Sequence, residues 1–398
     1  MGRQTLHIDI AIIGGGIAGL WTLNQLRNRG YSAVLFEQEA LGSYQTIGSQ
    51  GMIHGGVKYA LAGAWSGAAQ TISAMPATWR RCLAGDGKVD LRGCRVLSED
   101  FFIWSAATVQ SRLSTLLASR LLRGQVTKAA PAEYPAALRS PDFHGQVYRL
   151  ADLVLDVPSL VDTLASRQRD AIFAIDWAHA ELLREDGRAA LALADCTVRP
   201  EQLVLCAGAG NAALVAGLGS NRPAMQRRPL QQVLVRHEYP EPFYGHCIGA
   251  RASPRLTISS HRDHRGRPVW YLGGDLSTGA AGEAPGQLVD RARRELAELL
   301  PWLDLGSTEW ATLELDRAEP RQSAQRKPDG AFVGKLDGVG NARAAWPAKL
   351  TLCPDLADEL ERQLLAEHIL PRHRPDLSAL AALGHPPVAT PYWDTLFR

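Results

Sequence analysis

The sequence predicts an α/β protein of two domains, one built on a parallel sheet entered through a βαβ unit and one built on an antiparallel sheet. Three observations carry this expectation. The first 40 residues run strand, glycine-rich turn, helix, strand. Gln231–Arg236, Leu256–Ser260 and Val269–Gly273 alternate apolar and polar residues, the pattern of half-buried antiparallel strands. The chain has 398 residues and is 46% hydrophobic, more than a single core needs.

His7–Ile13 is a nearly continuous apolar run, as a strand buried on both faces requires. Gly14-Gly15-Gly16-Ile17-Ala18-Gly19 follows, and Ile17, Leu20, Trp21, Leu23 and Leu26 then recur at helical spacing through Arg29. Gly30 closes that helix, because glycine takes the left-handed cap without strain. Ala33–Glu37 is a second short buried strand, ending on an acid. A helix is expected near Ala68–Leu83, a strand at Cys94–Ser98, an apolar run at Phe101–Trp104 and a helix around Val109–Leu122. Pro131, Pro135 and Pro141 mark a loop-rich stretch. Val157–Ser166 reads as a helix with Asp156 as N-cap and Pro158 in its first turn. Ala171–Ile175, Ala189–Leu193 and Leu203–Ala207 read as strands, the last running into Gly208-Ala209-Gly210. Gly286–Leu300 is an amphipathic helix stopped by Pro301, Ala331–Gly334 a short strand, and Leu350–Glu367 a helix.

Composition excludes several function classes. Lys plus Arg is 43 and Asp plus Glu is 41, so the net charge is +2, without the basic excess of a nucleic-acid binder. Mean hydropathy is −0.13, and no apolar run approaches the ~18 residues of a spanning helix. The run Ile10–Ile17 lacks the basic leader and cleavage site of a secretory signal. Six scattered cysteines without paired spacing fit reduced thiols in a cytoplasmic chain.

Gly14, Gly16 and Gly19 fit the dinucleotide pattern. The first permits a tight turn, the second lets the backbone approach a pyrophosphate, and the third lets helix pack on strand. Glu37 stands where a carboxylate accepts hydrogen bonds from ribose hydroxyls and repels a 2′-phosphate. The βαβ unit alone leaves FAD and NAD open. The next segment, Thr46-Ile47-Gly48-Ser49-Gln50-Gly51-Met52-Ile53-His54-Gly55-Gly56-Val57-Lys58-Tyr59, resembles the flavin-contacting segment of the D-amino-acid-oxidase-like FAD oxidoreductases. The likeness is nearest to the branch with glycerol-3-phosphate and L-2-hydroxyglutarate dehydrogenases. Leu155–Val161, Leu203–Gly210 and Lys349–Pro354 resemble further segments of that family in the same order.

The resemblance implies a Rossmann-like FAD-binding domain and a second, antiparallel-sheet substrate domain. The former is expected in pieces, 1–84, 150–225 and 328–398, and the latter at 85–149 and 226–327. It implies FAD as cofactor, contacted by Gly14, Gly16, Ile17, Ala18, Gly19, Glu37, Gln38, Ser49, Gln50, Gly51, Met52, Ile53, Ala178, Ala207, Gly208, Lys349, Leu350 and Thr351. It also implies a small-molecule substrate and an electron acceptor, oxygen or quinone. A quinone acceptor would place the chain at the periphery of the inner membrane face, and Arg291, Arg293 and Arg294 form either a solvated helix face or a docking patch for it.

A flavin oxidase or dehydrogenase needs a base, a substrate anchor and charge for the reduced ring. His54 is the candidate base, because imidazole titrates near neutrality and this one lies in the flavin-facing segment. Arg317, with Arg321 behind it, is the candidate anchor for a carboxylate or phosphate; the alternative is an ion pair with Glu314 or Asp316. Lys349 replaces a glycine common in the family and is a candidate for stabilising anionic reduced flavin. Lys58 and Tyr59 read as structural, and His261 and His264 lack the further ligands of a metal site. Oxidation of a CH–OH carbon is the leading reading. An amine or amino-acid oxidase is the alternative, and a non-catalytic, RNA-modification-associated flavoprotein is a third.

Overall fold

The structure is a computed structural model that describes residues 4–56, 67–105, 126–249, 253–278, 282–323, 328 and 330–397. The helix expected around Val109–Leu122 lies outside the described residues, as do Lys58, Tyr59 and Asp329.

One eight-stranded sheet is mixed. At its centre β1 (Gln4–Ile13) lies parallel to β2 (Ala33–Glu37) on one side and to β12 (Cys196–Leu205) on the other. Outside β2 runs β9 (Ile172–Ala174), also parallel. The far edge is an antiparallel hairpin of β10 (Glu181–Glu185) and β11 (Arg188–Ala192), with β18 (Phe332–Lys335) and β19 (Ala342–Trp346) joined to the end of β12. Every residue of β1 from Ile8 onward is buried, as its apolar run predicts. Helix Ile17–Asn28 covers one face together with helices Val157–Arg167 and Cys353–Ala366. Asp156 caps Val157–Arg167 by accepting from the backbone N–H of Ser159 at 3.1 Å.

A second eight-stranded sheet has the order β17-β13-β16-β15-β14-β5-β7-β6 and is antiparallel except for one pair. Its strands are β5 (Phe101–Ser105), β6 (Val126–Lys128), β7 (Gln146–Leu150), β13 (Met225–Arg236), β14 (Gly245–Ile248), β15 (Pro254–Arg262), β16 (Pro268–Gly273) and β17 (Glu309–Pro320). Helix Pro285–Leu299 seals its outer face over Val233, Val235, Trp270 and Leu272. The opposite, inner face looks toward a small sheet of β3 (Met52–Ile53), β8 (Leu153–Leu155) and β4 (Val96–Ser98), in the order β3-β8-β4.

β10, β14, β17 and β19 are not expected from the sequence. β17 is hidden because Arg317 falls on the same face as Leu313 and Leu315, so a charge interrupts its apolar stripe. β19 is hidden because Ala342, Ala344 and Ala345 give little β signal, yet all five of its residues are buried.

Candidate active site

The glycine-rich turn sits where three strands end. Gly14 has φ +110°, and a Cβ there would lie 2.7 Å from backbone atoms of Ala207, just beyond the end of β12. A Cβ on Gly19 would collide with the carbonyl oxygen of Gly14, so only glycine lets the helix lie this close to the turn. The helix has no side chain capping it from Gly16, and Ile17 N–H donates to Thr46 Oγ1 at 3.0 Å. Glu37 turns its carboxylate onto this site: Gly15 N–H donates to Oε2 at 2.5 Å and Glu39 N–H to Oε1 at 2.9 Å. The arrangement is an anion cradle at a helix start with an acid beside it.

The 48–54 segment continues from that turn to the small sheet. Gln50 Nε2 donates to the Tyr271 carbonyl at 2.6 Å, and Tyr271 Oη donates to the Gly48 carbonyl at 2.7 Å. These bonds tie the segment to β16 of the large sheet. The hydroxyl oxygen of Ser49 is buried without a hydrogen-bond partner among the described residues, a polar group left for a ligand. Met52 and Ile53 pair with Val154 and Leu153, and the next position across brings His54 beside Asp152. Asp152 Oδ1 accepts from Gly55 N–H at 2.6 Å, while Oδ2 lies 3.6 Å from His54 Nδ1. Thr351 Oγ1 accepts from His54 N–H at 3.1 Å and donates to the Met52 carbonyl at 3.3 Å.

The inner face of the large sheet stands opposite. His246, 4% exposed, stacks near-parallel to His54 with centroids 6.1 Å apart and bonds Thr257 Oγ1 through Nδ1 at 2.8 Å. Farther along the same face, Arg317 is directly opposite Arg228 in the ladder. Arg228 forms a two-point ion pair with Glu319 at 2.5 and 2.6 Å, which uses up the one buried carboxylate there. Arg317 has no hydrogen-bond or ion-pair partner among the described residues, and its Nε is buried. Burial, with the Arg228 charge adding to it, pulls the Arg317 guanidinium below its ordinary value. An unpaired cation in that setting is costly unless an anion joins it.

A family model for FAD-dependent oxidoreductases, DAO, matches residues 9–342. The chain belongs to the DAO family of FAD-dependent oxidoreductases. A probable FAD-dependent oxidoreductase of Pseudomonas aeruginosa, PA4991, is 46% identical over 398 residues, covering 99% of each chain. The crystal structure of that protein superposes with a TM-score of 0.85, at 42% identity over 98% of this chain and 99% of the other. Glycine oxidase from Geobacillus kaustophilus has a TM-score of 0.67 at 17% identity, covering 94% and 98%. L-α-glycerophosphate oxidase from Mycoplasma pneumoniae has 0.63 at 14%, covering 98% of both. The last two show the fold alone.

This FAD-dependent oxidoreductase has residues that fit its cofactor: the glycine cradle, the adjoining Glu37 and the unpartnered Ser49 hydroxyl. Gly14 meets Ala207 beyond the end of β12, Gly16 faces Thr46, Gly19 packs on Gly14, and Gly208 faces Gln45, while Ile17 and Ala18 open the helix. Gln50, Gly51, Met52 and Ile53 lead to His54. Gln38 is exposed and donates to Glu39. Ala178 follows the end of β9, whose neighbour Ile175 donates its N–H to the Glu37 carbonyl at 2.9 Å. It lies in an exposed turn held by Asp176, whereas Ala174 is the residue paired with Glu37. Lys349 and Leu350 begin a short 3₁₀ turn ahead of helix Cys353–Ala366, beyond the end of the family match. Thr351 braces the 52–54 backbone rather than offering a free hydroxyl.

Arg317 forms no ion pair with Glu314 or Asp316; Asp316 lies 3.6 Å from Arg227 instead. Arg321 is exposed. His261 is buried against Trp393, with ring centroids 4.3 Å apart. Asp152, His246 and the Arg228–Glu319 pair are site residues the sequence does not reveal. The β3–β8 register brings in Asp152, strand β14 His246, and the β13–β17 ladder the Arg228–Glu319 pair. A cavity of about 320 Å³ between Trp270, Arg293, Leu296, Leu300 and Trp310 lies on the outer face, away from this chemistry. Among the described residues no helix is long and apolar enough to cross a membrane.

Proposed function

We propose that this enzyme oxidises the CH–OH carbon of a small anionic substrate, a hydroxyacid or a polyol phosphate, held by Arg317 and deprotonated by His54. The observation that carries the reading is the Asp152–His54 pair beside the flavin-facing segment. A hydroxyl proton is far too weakly acidic to leave at neutral pH, so this oxidation needs a positioned base. An amine loses its proton to solvent more readily and has less need of one. The Asp152 carboxylate at Nδ1 favours the tautomer protonated there and makes Nε2 the more basic nitrogen. Bound FAD supplies the acceptor for the hydride of the C–H bond. Arg317 supplies charge and geometry for a carboxylate or phosphate, and the anion in turn settles its buried Nε.

The chain is read as two domains, 1–84, 150–225 and 328–398 for FAD, and 85–149 and 226–327 for substrate. Sheet membership supports this division: the strands of the mixed sheet fall in the first set and those of the large sheet in the second, to within one residue at each boundary.

Anaerobic addition of hydroxyacids, polyol phosphates, amino acids and amines to the holoenzyme, read as loss of flavin absorbance, tests the function. Hydroxyl substrates carrying an anion should bleach the flavin. Arg317→Met should raise their KM by about 10- to 100-fold, the worth of a buried charge-assisted bond. Bleaching by amino acids or amines alone would overturn the reading.

A further inference from the structure

The segment 387–397 is fastened at two places. Near the nucleotide turn, Leu41 N–H donates to the Pro387 carbonyl at 2.7 Å and Ala389 N–H to the Leu41 carbonyl at 2.9 Å. The residue after Leu41, Gly42, itself donates to Gly15 of the turn at 2.9 Å. At the other end the chain lies on the inner face of the large sheet. Trp393 stacks on His261, Asp394 accepts from His264 N–H at 2.7 Å, and the Arg236 guanidinium lies 4.7 Å from the Phe397 ring centre.

Tyr392 stands between the two fastenings. Its ring edge is 3.3 Å from where a Cβ on Gly48 would be, and Leu315 crowds the same point. Leu315 precedes Arg317 by two residues, so their side chains share the inner face. Tyr392 is half-buried. A bulky ring thus lies beside the point where the flavin-facing segment meets the strand of the anchoring arginine, held there by the fastenings on either side of it.

We infer that Tyr392 is a specificity-determining residue: it forms the outer wall of the substrate site beside Arg317 and limits the size of what fits there. The inference rests on the proposed roles of Arg317 and the 48–54 segment. A side chain in this position excludes by volume, so its removal changes access and selectivity while leaving the nucleotide cradle intact.

The test uses the FAD-loaded enzyme and two readouts that need no substrate. The first is the anaerobic rate of flavin bleaching by dithionite, and the second is flavin absorbance on titration with acetate or benzoate. Tyr392→Ala should keep FAD, bleach at least about fivefold faster, and shift the benzoate-to-acetate affinity ratio toward benzoate by about tenfold, an effect of roughly 1.4 kcal/mol. Tyr392→Phe should bleach at the wild-type rate. Tyr392→Leu keeps the apolar contact with Leu315 and should move both readouts in the same direction by less, which covers loss of folding in the alanine variant. Wild-type bleaching rates and an unchanged ratio in FAD-loaded Tyr392→Ala and Tyr392→Leu would overturn the inference. If neither carboxylate perturbs the flavin of any form, the Arg317 anchor falls, and the bleaching rates still decide the wall.

Discussion

Asp152 uses its two carboxylate oxygens for different tasks, one on the Gly55 backbone and one beside the His54 ring. Asparagine keeps an acceptor for Gly55 but puts no charge beside the imidazole. Asp152→Asn should therefore slow anaerobic flavin reduction by about 10- to 100-fold, the usual cost of losing a partner that orients a histidine. The acid limb of the rate profile should move to lower pH, because the imidazolium loses its counter-charge. FAD content should stay near wild type. An unshifted profile measured by stopped flow would make Asp152 a backbone brace only. Nothing in the sequence joins Asp152 to His54, since the two are far apart in the chain and share no motif. The antiparallel register Met52–Val154 and Ile53–Leu153 makes them neighbours. His54 itself was legible, because it follows the glycine-rich flavin-facing run.

Among elements, the strand–turn–helix at residues 4–28 was the most legible, because its apolar continuity, glycines and helical stripe all point the same way. Gly19→Ala tests it. The added methyl would meet the Gly14 carbonyl oxygen, so helix and turn must part. FAD retention through gel filtration should be lost, and the melting temperature should fall by several degrees, as for a ~1–3 kcal/mol overpacking strain in a domain of this size. The strand Glu309–Pro320 was the least legible element with functional weight. Its register against Met225–Arg236 sets Arg317 against Arg228 and Glu319 against Gln226, which leaves Arg317 without a carboxylate. The sequence alone offers several acids near Arg317 and no means of telling which faces it.

For the whole molecule, acid is the condition to watch. Burial pushes His237 and His261 down from 6.5 to about 4, and the two lie on opposite faces of the large sheet, against Trp270 and Trp393. In the unfolded chain both protonate more readily, so the folded state binds fewer protons between these values. Their contribution to stability is full above about pH 6.5 and is lost as the pH falls toward about 4. Thermal melts should show a falling transition temperature across that window, and His261→Asn should flatten the fall. An equally steep fall in the variant would mean that other groups drive it. The two-sheet architecture was legible from βαβ and alternation, whereas of the small sheet that joins the two only β4 was, as the strand expected at Cys94–Ser98, because β3 and β8 are only two and three residues long.

The close approach of Gly14 to Ala207 has a kinetic corollary. The two residues come from opposite halves of the amino-terminal two-thirds of the chain, and they meet only when Gln4–Ile13 has paired with Cys196–Leu205. Such pairing closes a very long loop and belongs to the slow part of folding. The nucleotide cradle, although its motif is wholly local, is therefore assembled late. FAD capture in a refolding experiment should lag behind helix formation and report the moment at which the central ladder closes.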